Sequence, residues 1–229
     1  SRGAGVLAVF SLRFEDAALG NRGADFIVRE WFMENGAARI DVLVSLLSMS
    51  MTMPRPGYRD LYPELGAPVL QALVSSNPLE VWEAGDQGMS TMDVTFQAAQ
   101  PEFDGALITL PVATREEDRR DPLTGGLLAR YRPIPDRVRA MASLALRWAA
   151  LSRTSNRDKR LAVILHNYPT RADRIGNAVG LDTFTSLKHL VDRLADEGYR
   201  VDRRYTDGQE VVQELLSGFL CDQRWHDPA

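Results

Sequence analysis

The sequence contains few residues of the kinds that bind metals or form disulfides. It has one cysteine, Cys221, and three histidines in 229 residues. A single cysteine cannot form an internal disulfide, which indicates a reducing compartment, and we expect a cytoplasmic protein. The histidines and the cysteine are scattered without the spacing of zinc ligands, so we expect no metal site built from them.

An excess of charge and long apolar runs are also absent. The 27 basic and 31 acidic residues give a net charge of −4, without the basic excess of a nucleic-acid-binding protein. The uncharged run Val42–Pro54 is shorter than the roughly 20 residues that cross a membrane as a helix. Neither a Walker loop nor a G-x-G-x-x-G pattern occurs. We therefore expect no nucleic-acid partner, no membrane span and no ATP site.

Helical and strand-like patterns alternate along the chain, which predicts an α/β fold. Strand-like apolar segments are Val6–Phe10, Ile40–Leu47, Pro68–Val74, Asp104–Leu110, Leu161–Leu165 and Tyr199–Tyr205. Helical spacing is found over Ala24–Asn35, from Pro135 to Leu151, from Asp182 to Gly198 and after Asp207. This order predicts parallel sheets covered by helices, in flavodoxin-like or Rossmann-like units.

A charged segment divides the sequence into two predicted parts. Residues 1–114 are expected to form an α/β unit whose first strand and helix lie outside the chain. Residues 115–133 contain a dense run of charges with Pro and Gly, which predicts a solvated loop or linker. Residues 134–229 are expected to form a helix followed by a β-α-β-α unit, with Leu161–Leu165 buried on both faces as its central strand.

The most informative stretch is the polar loop between Leu165 and Asp182. Ligands of open α/β sheets bind beyond the carboxyl ends of the strands, and connections as long as this one are often functional. The candidate substrate-binding residues are His166, Arg171, Arg174, Gly176, Asn177 and Gly180. The two arginines can hold a carboxylate or phosphate, the glycines allow close backbone approach, and the N-terminus of the next helix favours an anion.

Structural explanations of the same residues remain open. The two glycines can simply turn the chain, and either arginine can pair with Asp173. His166 can accept a proton or bind a metal, or be a hydrogen-bonded structural residue. Elsewhere, Glu102 and Asp104 can perform acid–base chemistry or only turn the chain into the next strand.

Several segments together resemble the large subunit of aerobic cobaltochelatase, of the CobN type, and more distantly that of magnesium chelatase. The segments that carry the resemblance are Pro68–Leu73, Trp82, Gly88–Ser90, Pro101–Gly105, Arg132–Val138, Ala145–Leu151, Asn156, Asn167–Pro169 and Arg174–Thr183. The resemblance covers about Ile40–Val201 and is most specific over Pro133–Thr183. One departure is His166, where the family usually has a small residue.

The resemblance implies a function for the longer protein to which such a chain belongs. Family members insert cobalt(II) into hydrogenobyrinic acid a,c-diamide during cobalamin synthesis, or magnesium into protoporphyrin. The large subunit binds the tetrapyrrole and the metal, and separate AAA+ partner subunits hydrolyse ATP. Because family members are several times longer, we expect an internal fragment that is inactive alone and binds no cofactor by itself. The resemblance assigns no catalytic residue to this chain.

Three functions are therefore to be distinguished. The first is a substrate-binding part of a chelatase subunit, with a corrinoid carboxylate held by the arginines of the loop. The second is an interaction module of the same subunit that does not contact the tetrapyrrole. The third is a flavodoxin-like domain that binds a nucleotide or flavin, which the absence of a glycine-rich phosphate loop disfavours.

Overall fold

The computed structural model of the chain describes residues 3–10, 15–51, 61–166 and 174–218. The chain divides into two compact units, Ser1–Ser152 and Arg153–Ala229. The α/β class predicted from the sequence is confirmed, because a sheet with parallel strands is combined with helices.

The first unit begins with a helical segment followed by a short hairpin. Helix α1 is Ala24–Ile27, a π-helical turn covers Val28–Phe32, and strands β1 and β2 are Met33–Glu34 and Ala37–Ala38. The predicted helix Ala24–Asn35 is correct at its start and wrong at its end. Asn35 and Gly36, with φ angles of 52° and 76°, form the hairpin turn. An Asn-Gly pair favours such a turn because both positions need left-handed backbone.

A four-stranded sheet forms the centre of the first unit. Its strands, in spatial order, are β3 (Leu43–Ser45), β4 (Val69–Ser75), β5 (Leu107–Arg120) and β6 (Leu127–Pro133). Strands β3, β4 and β5 are parallel, and β6 is antiparallel to β5. The helical segments between them are α2 (Leu61–Leu65), α3 (Leu79–Ala84), α4 (Thr91–Val94), a π-helical turn (Thr95–Ala99) and α5 (Gln100–Phe103).

Strand β4 is covered on both faces. Successive side chains of a strand point to opposite faces, so Val69 and Leu70 enter different apolar clusters. The cluster around Val69 contains Ala24, Val28, Phe32, Met51, Leu61, Leu65 and Ala106. The cluster around Leu70 contains Ala72, Val112, Ala113 and Met141. This burial on both faces explains why the sequence of β4 is mostly apolar and does not alternate with polar residues.

The structure corrects the prediction of a charged loop over residues 115–133. Strand β5 continues through this segment to Arg120, and β6 returns along it, so that Ala113 faces Pro133 and Arg120 faces Leu127. Every residue of β6 is exposed. The composition therefore correctly predicted exposure to water, but cross-strand pairing gives the segment regular structure. A run of charged residues can thus form a solvated two-stranded ribbon.

Helix α6, Pro135–Arg153, closes the first unit. Pro135 stands at its first position, where the missing N–H costs no hydrogen bond. The helical spacing predicted from the sequence is confirmed in part: Met141 is buried and Ala145 and Trp148 pack against the Leu70 cluster, whereas Val138 and Leu151 are exposed.

The second unit consists of a 3₁₀ turn and two helices in its described residues. The turn covers Asn156–Asp158, α7 is Thr183–Asp196 and α8 is Gly208–Ser217. Both predicted helix starts are confirmed: Asp182 accepts the N–H of Thr185 at 3.0 Å, and Asp207 accepts that of Glu210 at 3.0 Å. Gly198, with a φ of 83°, ends α7 as predicted.

The strands predicted for the second unit are not formed among its described residues. Leu161–Leu165 and Tyr199–Tyr205 carry no strand pairing, and Val163 and Ile164 are exposed. The prediction of a buried central strand is therefore wrong for this chain. A strand is defined by a neighbour that accepts its hydrogen bonds, and the described residues of this unit provide none. The same applies to Val6–Phe10, which is exposed and unpaired within the described residues.

Among the described residues, no helix combines the length and apolar character needed to span a membrane.

Candidate functional site

Polar side chains gather where β4 ends, at the sheet edge where ligands of α/β folds usually bind. Ser76 follows β4 and donates its hydroxyl to Oδ2 of Asp93 at 2.7 Å and its backbone N–H to the same oxygen at 3.0 Å. Oδ1 of Asp93 accepts from Nε2 of Gln97 at 3.2 Å. Ser90 caps α4 by accepting the N–H of Asp93 at 3.1 Å. We call Ser76, Ser90, Asp93 and Gln97 the β4-end cluster.

The Asp93 carboxylate is buried and ionised. Burial raises its pKa, but the hydrogen bonds from Ser76 and Ser90 oppose this effect and bring the pKa below its usual value. Each carboxylate oxygen already accepts from a protein donor. The β4-end cluster is therefore a satisfied network that holds α4 and the following π-helical turn against the end of β4.

A second carboxylate lies beside the end of the parallel pairing between β4 and β5. Oε1 of Glu116 accepts the hydroxyl of Thr114 at 2.8 Å and the N–H of Leu79 at 3.0 Å. The hydroxyl of Thr114, followed by the N–H of Leu79, holds the pKa of Glu116 below its usual value. Arg132 pairs with Glu80 at 3.0 Å on the same side. These contacts join α3 to the hairpin of β5 and β6.

The carboxylates singled out after α5 have different surroundings. Asp104 is buried, and it accepts the hydroxyl of Ser50 at 2.6 Å and the N–H of Met51 at 2.5 Å. Glu102 is exposed. Asp104 thus anchors the segment after β3, which includes Met49 with a left-handed φ of 67°. This geometry supports a structural role for Asp104 rather than an acid–base pair with Glu102.

The predicted loop site lies in the second unit, and part of it is described. His166 and Arg174 are exposed, while Gly176 is buried. The N–H of Gly176 donates to the carbonyl of His166 at 2.8 Å, and its carbonyl accepts the hydroxyl of Thr183 at 2.5 Å. Asn177 donates its N–H to the carbonyl of Arg174 at 3.1 Å. The structure therefore brings together the two ends of the loop and the start of α7.

Close packing explains the glycine at position 176. Its φ is 67°, and a Cβ there would lie 3.1 Å from Cγ2 of Thr183 and 3.2 Å from Cζ of Phe184. Gly180 has a φ of 77°, but no atom lies within 4 Å of an added Cβ. Gly176 is thus required by packing and backbone, whereas Gly180 is required by backbone alone.

Two features of the predicted anion-holding site need correction. The loop does not follow a paired strand within the described residues, so it does not lie at a formed sheet edge. Asp182 already caps the N-terminus of α7, because its carboxylate accepts the N–H of Thr185, and this hydrogen bond holds the pKa of the carboxyl below its usual value. A negative cap disfavours a second anion at the same helix end. Arg174 remains exposed, with no ion pair to another described residue, and Arg171 lies outside the described residues.

No group of three or more His, Cys, Asp or Glu side chains capable of holding a metal ion is found in the described parts of the chain. The β4-end cluster was not predicted from the sequence. Its signal is Ser90-Thr91-Met92-Asp93, a helix-capping pattern placed directly after a glycine-rich turn.

Comparison with known proteins identifies the family. The model of the CobN/magnesium chelatase family matches residues 1–229. The aerobic cobaltochelatase subunit CobN of Pseudomonas aeruginosa is 35% identical over 197 residues, which are 85% of this chain and 15% of that protein. The magnesium-chelatase H subunit of Chlorobaculum parvum is 31% identical over 188 residues, or 76% of this chain and 13% of that protein.

A solved structure gives the same result. The catalytic subunit of cobaltochelatase from Mycobacterium tuberculosis matches with a TM-score of 0.64 and 33% identity, over 77% of this chain and 15% of that one. The chain thus spans less than a fifth of the length of these relatives. The full-length family match and the agreement of sequence and structure show that the chain belongs to the CobN/magnesium chelatase family.

Proposed function

We propose that the chain is part of the large, tetrapyrrole- and metal-binding subunit of an ATP-dependent cobaltochelatase. In this proposal the whole complex inserts cobalt(II), its metal substrate, into hydrogenobyrinic acid a,c-diamide. The observation that carries the proposal is the likeness to a cobaltochelatase catalytic subunit, at 33% identity and a TM-score of 0.64. The identity of 35% to a CobN subunit supports cobalt over magnesium.

The proposal assigns ATP hydrolysis to separate AAA+ partner subunits in the cytoplasm. The chain has no Gly-Lys-Ser or Gly-Lys-Thr sequence that could cradle a nucleotide phosphate. In this proposal the chain contributes to binding and positioning the tetrapyrrole.

We place substrate contact at the loop residues His166, Arg171, Arg174, Gly176, Asn177 and Gly180. A corrinoid carries several carboxylates, and a guanidinium group binds a carboxylate through charge-assisted and often bidentate hydrogen bonds. Arg174 is exposed, and the neighbouring backbone is held by the hydrogen bond between Gly176 and His166. This accessible arginine, next to a hydrogen-bonded backbone at Gly176, supports the assignment.

The test uses the full-length subunit with its ATPase partners. We expect ATP-dependent insertion of Co²⁺ into hydrogenobyrinic acid a,c-diamide. The change in the absorbance spectrum of the corrinoid measures this insertion. Arg174→Ala should weaken corrinoid binding by roughly 5- to 150-fold, the equivalent of about 1–3 kcal/mol for a lost charged hydrogen bond. Arg157→Ala, an exposed arginine of the same unit, serves as the matched control. Equal binding by both folded variants would show that Arg174 does not contact the substrate, and would favour the interaction module.

A magnesium chelatase subunit of the H type is the second candidate, supported by the 31% identity to the Chlorobaculum parvum protein. The same assay distinguishes the two functions. Insertion of Mg²⁺ into protoporphyrin IX, without cobalt insertion into the corrinoid, would replace the first proposal by the second.

A further inference from the structure

Met49 has a backbone conformation that its residue type does not favour. Among the described residues, only Met49 and Asn35 combine a side chain with a positive φ, at 67° and 52°. Asparagine is common in this left-handed region, and Asn35 stands there in an Asn-Gly hairpin turn. Methionine has no comparable preference, because its Cβ makes the conformation costly, whereas glycine adopts it without that cost. The chain therefore keeps a methionine side chain at a position where the backbone favours glycine.

One helical segment, residues 91–103, holds the backbone around Met49. The N–H of Met49 donates to the carbonyl of Phe96, and the N–H of Ser50 donates to Oε1 of Gln100 at 3.0 Å. Asp104, directly after the segment, accepts the hydroxyl of Ser50 at 2.6 Å and the following N–H at 2.5 Å. Acceptors at positions 96, 100 and 104 thus fix three consecutive residues. A strained conformation persists only where its surroundings determine it in this way, and such residues cluster at active sites and ligand-binding sites.

The strained residue lies at the edge of the sheet where ligands of α/β folds bind. It follows β3, at the carboxyl end of the parallel strands. The same helical segment carries Asp93 and Gln97, which contact the end of β4. Met49 is 41% exposed, whereas Ser50 and Met51 are buried. Burial in the core therefore accounts for the next two residues but not for the Met49 side chain, which is accessible at this edge.

From its conformation, its fixed backbone and its exposure, we propose that Met49 contacts the apolar face of the tetrapyrrole macrocycle and positions it at this edge of the sheet. A methionine side chain is unbranched, polarizable and uncharged, so it adapts to a flat conjugated ring. This assignment rests on the proposed function, because that function supplies the tetrapyrrole as the ligand. It adds a contact with the ring itself, in the first unit, to the carboxylate contacts proposed for the loop of the second.

Replacing Met49 by the residue that its backbone favours tests the contact. In the full-length subunit, Met49→Gly should fold, because the substitution relieves the left-handed strain. It should bind hydrogenobyrinic acid a,c-diamide at least about 10-fold more weakly, because an apolar contact is lost. Absorbance titration measures the affinity, and thermal unfolding checks the fold. Met49→Leu keeps an apolar side chain of similar volume and should bind like the wild type. Asn35→Gly, at the other left-handed side chain, is the matched control and should leave binding unchanged.

A second variant keeps the test independent of how Met49→Gly folds. Met49→Asn introduces a polar side chain that tolerates left-handed backbone, so it should also fold and weaken binding. Binding as tight as that of the wild type by either folded variant would overturn the contact.

The outcomes also separate this contact from the proposed function. Weak binding by Met49→Gly together with tight binding by Arg174→Ala would support the contact and remove the loop assignment. The reverse result would overturn the contact alone. If the wild type binds only protoporphyrin IX, the same variants are compared with that ring. A wild-type subunit that binds neither tetrapyrrole would overturn both the contact and the proposed function.

Discussion

The two units of the chain differ in how far their local structure is supported by packing. In the first unit, Leu70 is completely buried in β4, between covered faces. In the second, residues 161–164 of the apolar segment Leu161–Leu165 are exposed, and the segment pairs with no strand among the described residues. Both helices of the second unit have side-chain N-caps, whereas α1, α3 and α5 of the first unit have none. Side-chain caps thus decide where a helix begins, whereas an apolar segment becomes a strand only when a neighbouring strand exchanges backbone hydrogen bonds with it.

The largest expected effect comes from removing core volume in the first unit. Leu70→Ala should lower the free energy of unfolding by about 2–5 kcal/mol, because a cavity forms where no side chain can collapse easily. Denaturant unfolding measures the change. Leu127→Ala, on the exposed strand β6, should cost less than about 0.5 kcal/mol. Similar losses in both variants would contradict the central position of β4.

The next effect is expected in the β4-end cluster. Asp93→Ala leaves donors of Ser76 and Gln97 without an acceptor and should cost about 1–3 kcal/mol. Asp86→Ala, at an exposed carboxylate, is the control.

The same residue predicts a pH dependence of stability. Because folding lowers the pKa of Asp93, its contribution is complete above the ordinary carboxyl value of about 3.9 and is lost as the pH falls through the folded value. Asp93→Asn should therefore lose less stability than the wild type on acidification below about pH 4. Parallel acid-unfolding curves would exclude this contribution.

Gly176 and Gly180 differ in how closely other residues pack against them. Gly176→Ala and Gly180→Ala should each cost about 1–2 kcal/mol, because both positions have left-handed backbone. Gly176→Ala should cost more, since its Cβ would crowd Thr183 and Phe184. Hydrogen exchange of the α7 amides measures the difference. Equal effects would show that the contact with α7 is loose.

The smallest expected effect is at the helix caps. Asp182→Ala should destabilise the first turn of α7 by about 1 kcal/mol, seen as faster exchange of the Thr185 amide. Asp196→Ala, at the other end of α7, should leave that amide unchanged. No change at Thr185 in Asp182→Ala would indicate that neighbouring chain, and not the cap, holds the helix end.

The sequence predicted those features of the fold that depend on neighbouring residues. The caps at Asp182 and Asp207 and the helix stop at Gly198 were predicted because side chain, turn and backbone conformation lie within a few residues. The hairpin of β5 and β6 was missed because its backbone pairing joins residues as far apart as Ala113 and Pro133, which the charge composition of the segment does not reveal. Leu161–Leu165 has the pattern of a buried strand, but a strand also needs a hydrogen-bonding neighbour, and the described residues of this unit provide none.

The candidate site was predicted less completely. The loop was recognised from its length and its arginines, and its contact between Gly176 and His166 required coordinates. The β4-end cluster brings Ser76, which follows β4, together with Asp93 of α4 and Gln97 of the π-helical turn. Only the tertiary structure places these separate segments side by side. Family membership was predictable because it rests on several motifs in a fixed order.

One further consequence follows from the side chain of Gln97. It donates to the carbonyl of Val74 at 2.6 Å and accepts the N–H of Val74 at 2.7 Å, beyond the point where β3 ends. A single primary amide thus stands in for a peptide group of a neighbouring strand. Glutamate at this position would lose the donor, so the isosteric change would leave the Val74 carbonyl facing a negative charge. Gln97 pairs with both the N–H and the carbonyl of Val74, so these two groups are not available to a strand of another molecule. Free backbone groups at a sheet edge are the starting points of edge-to-edge aggregation.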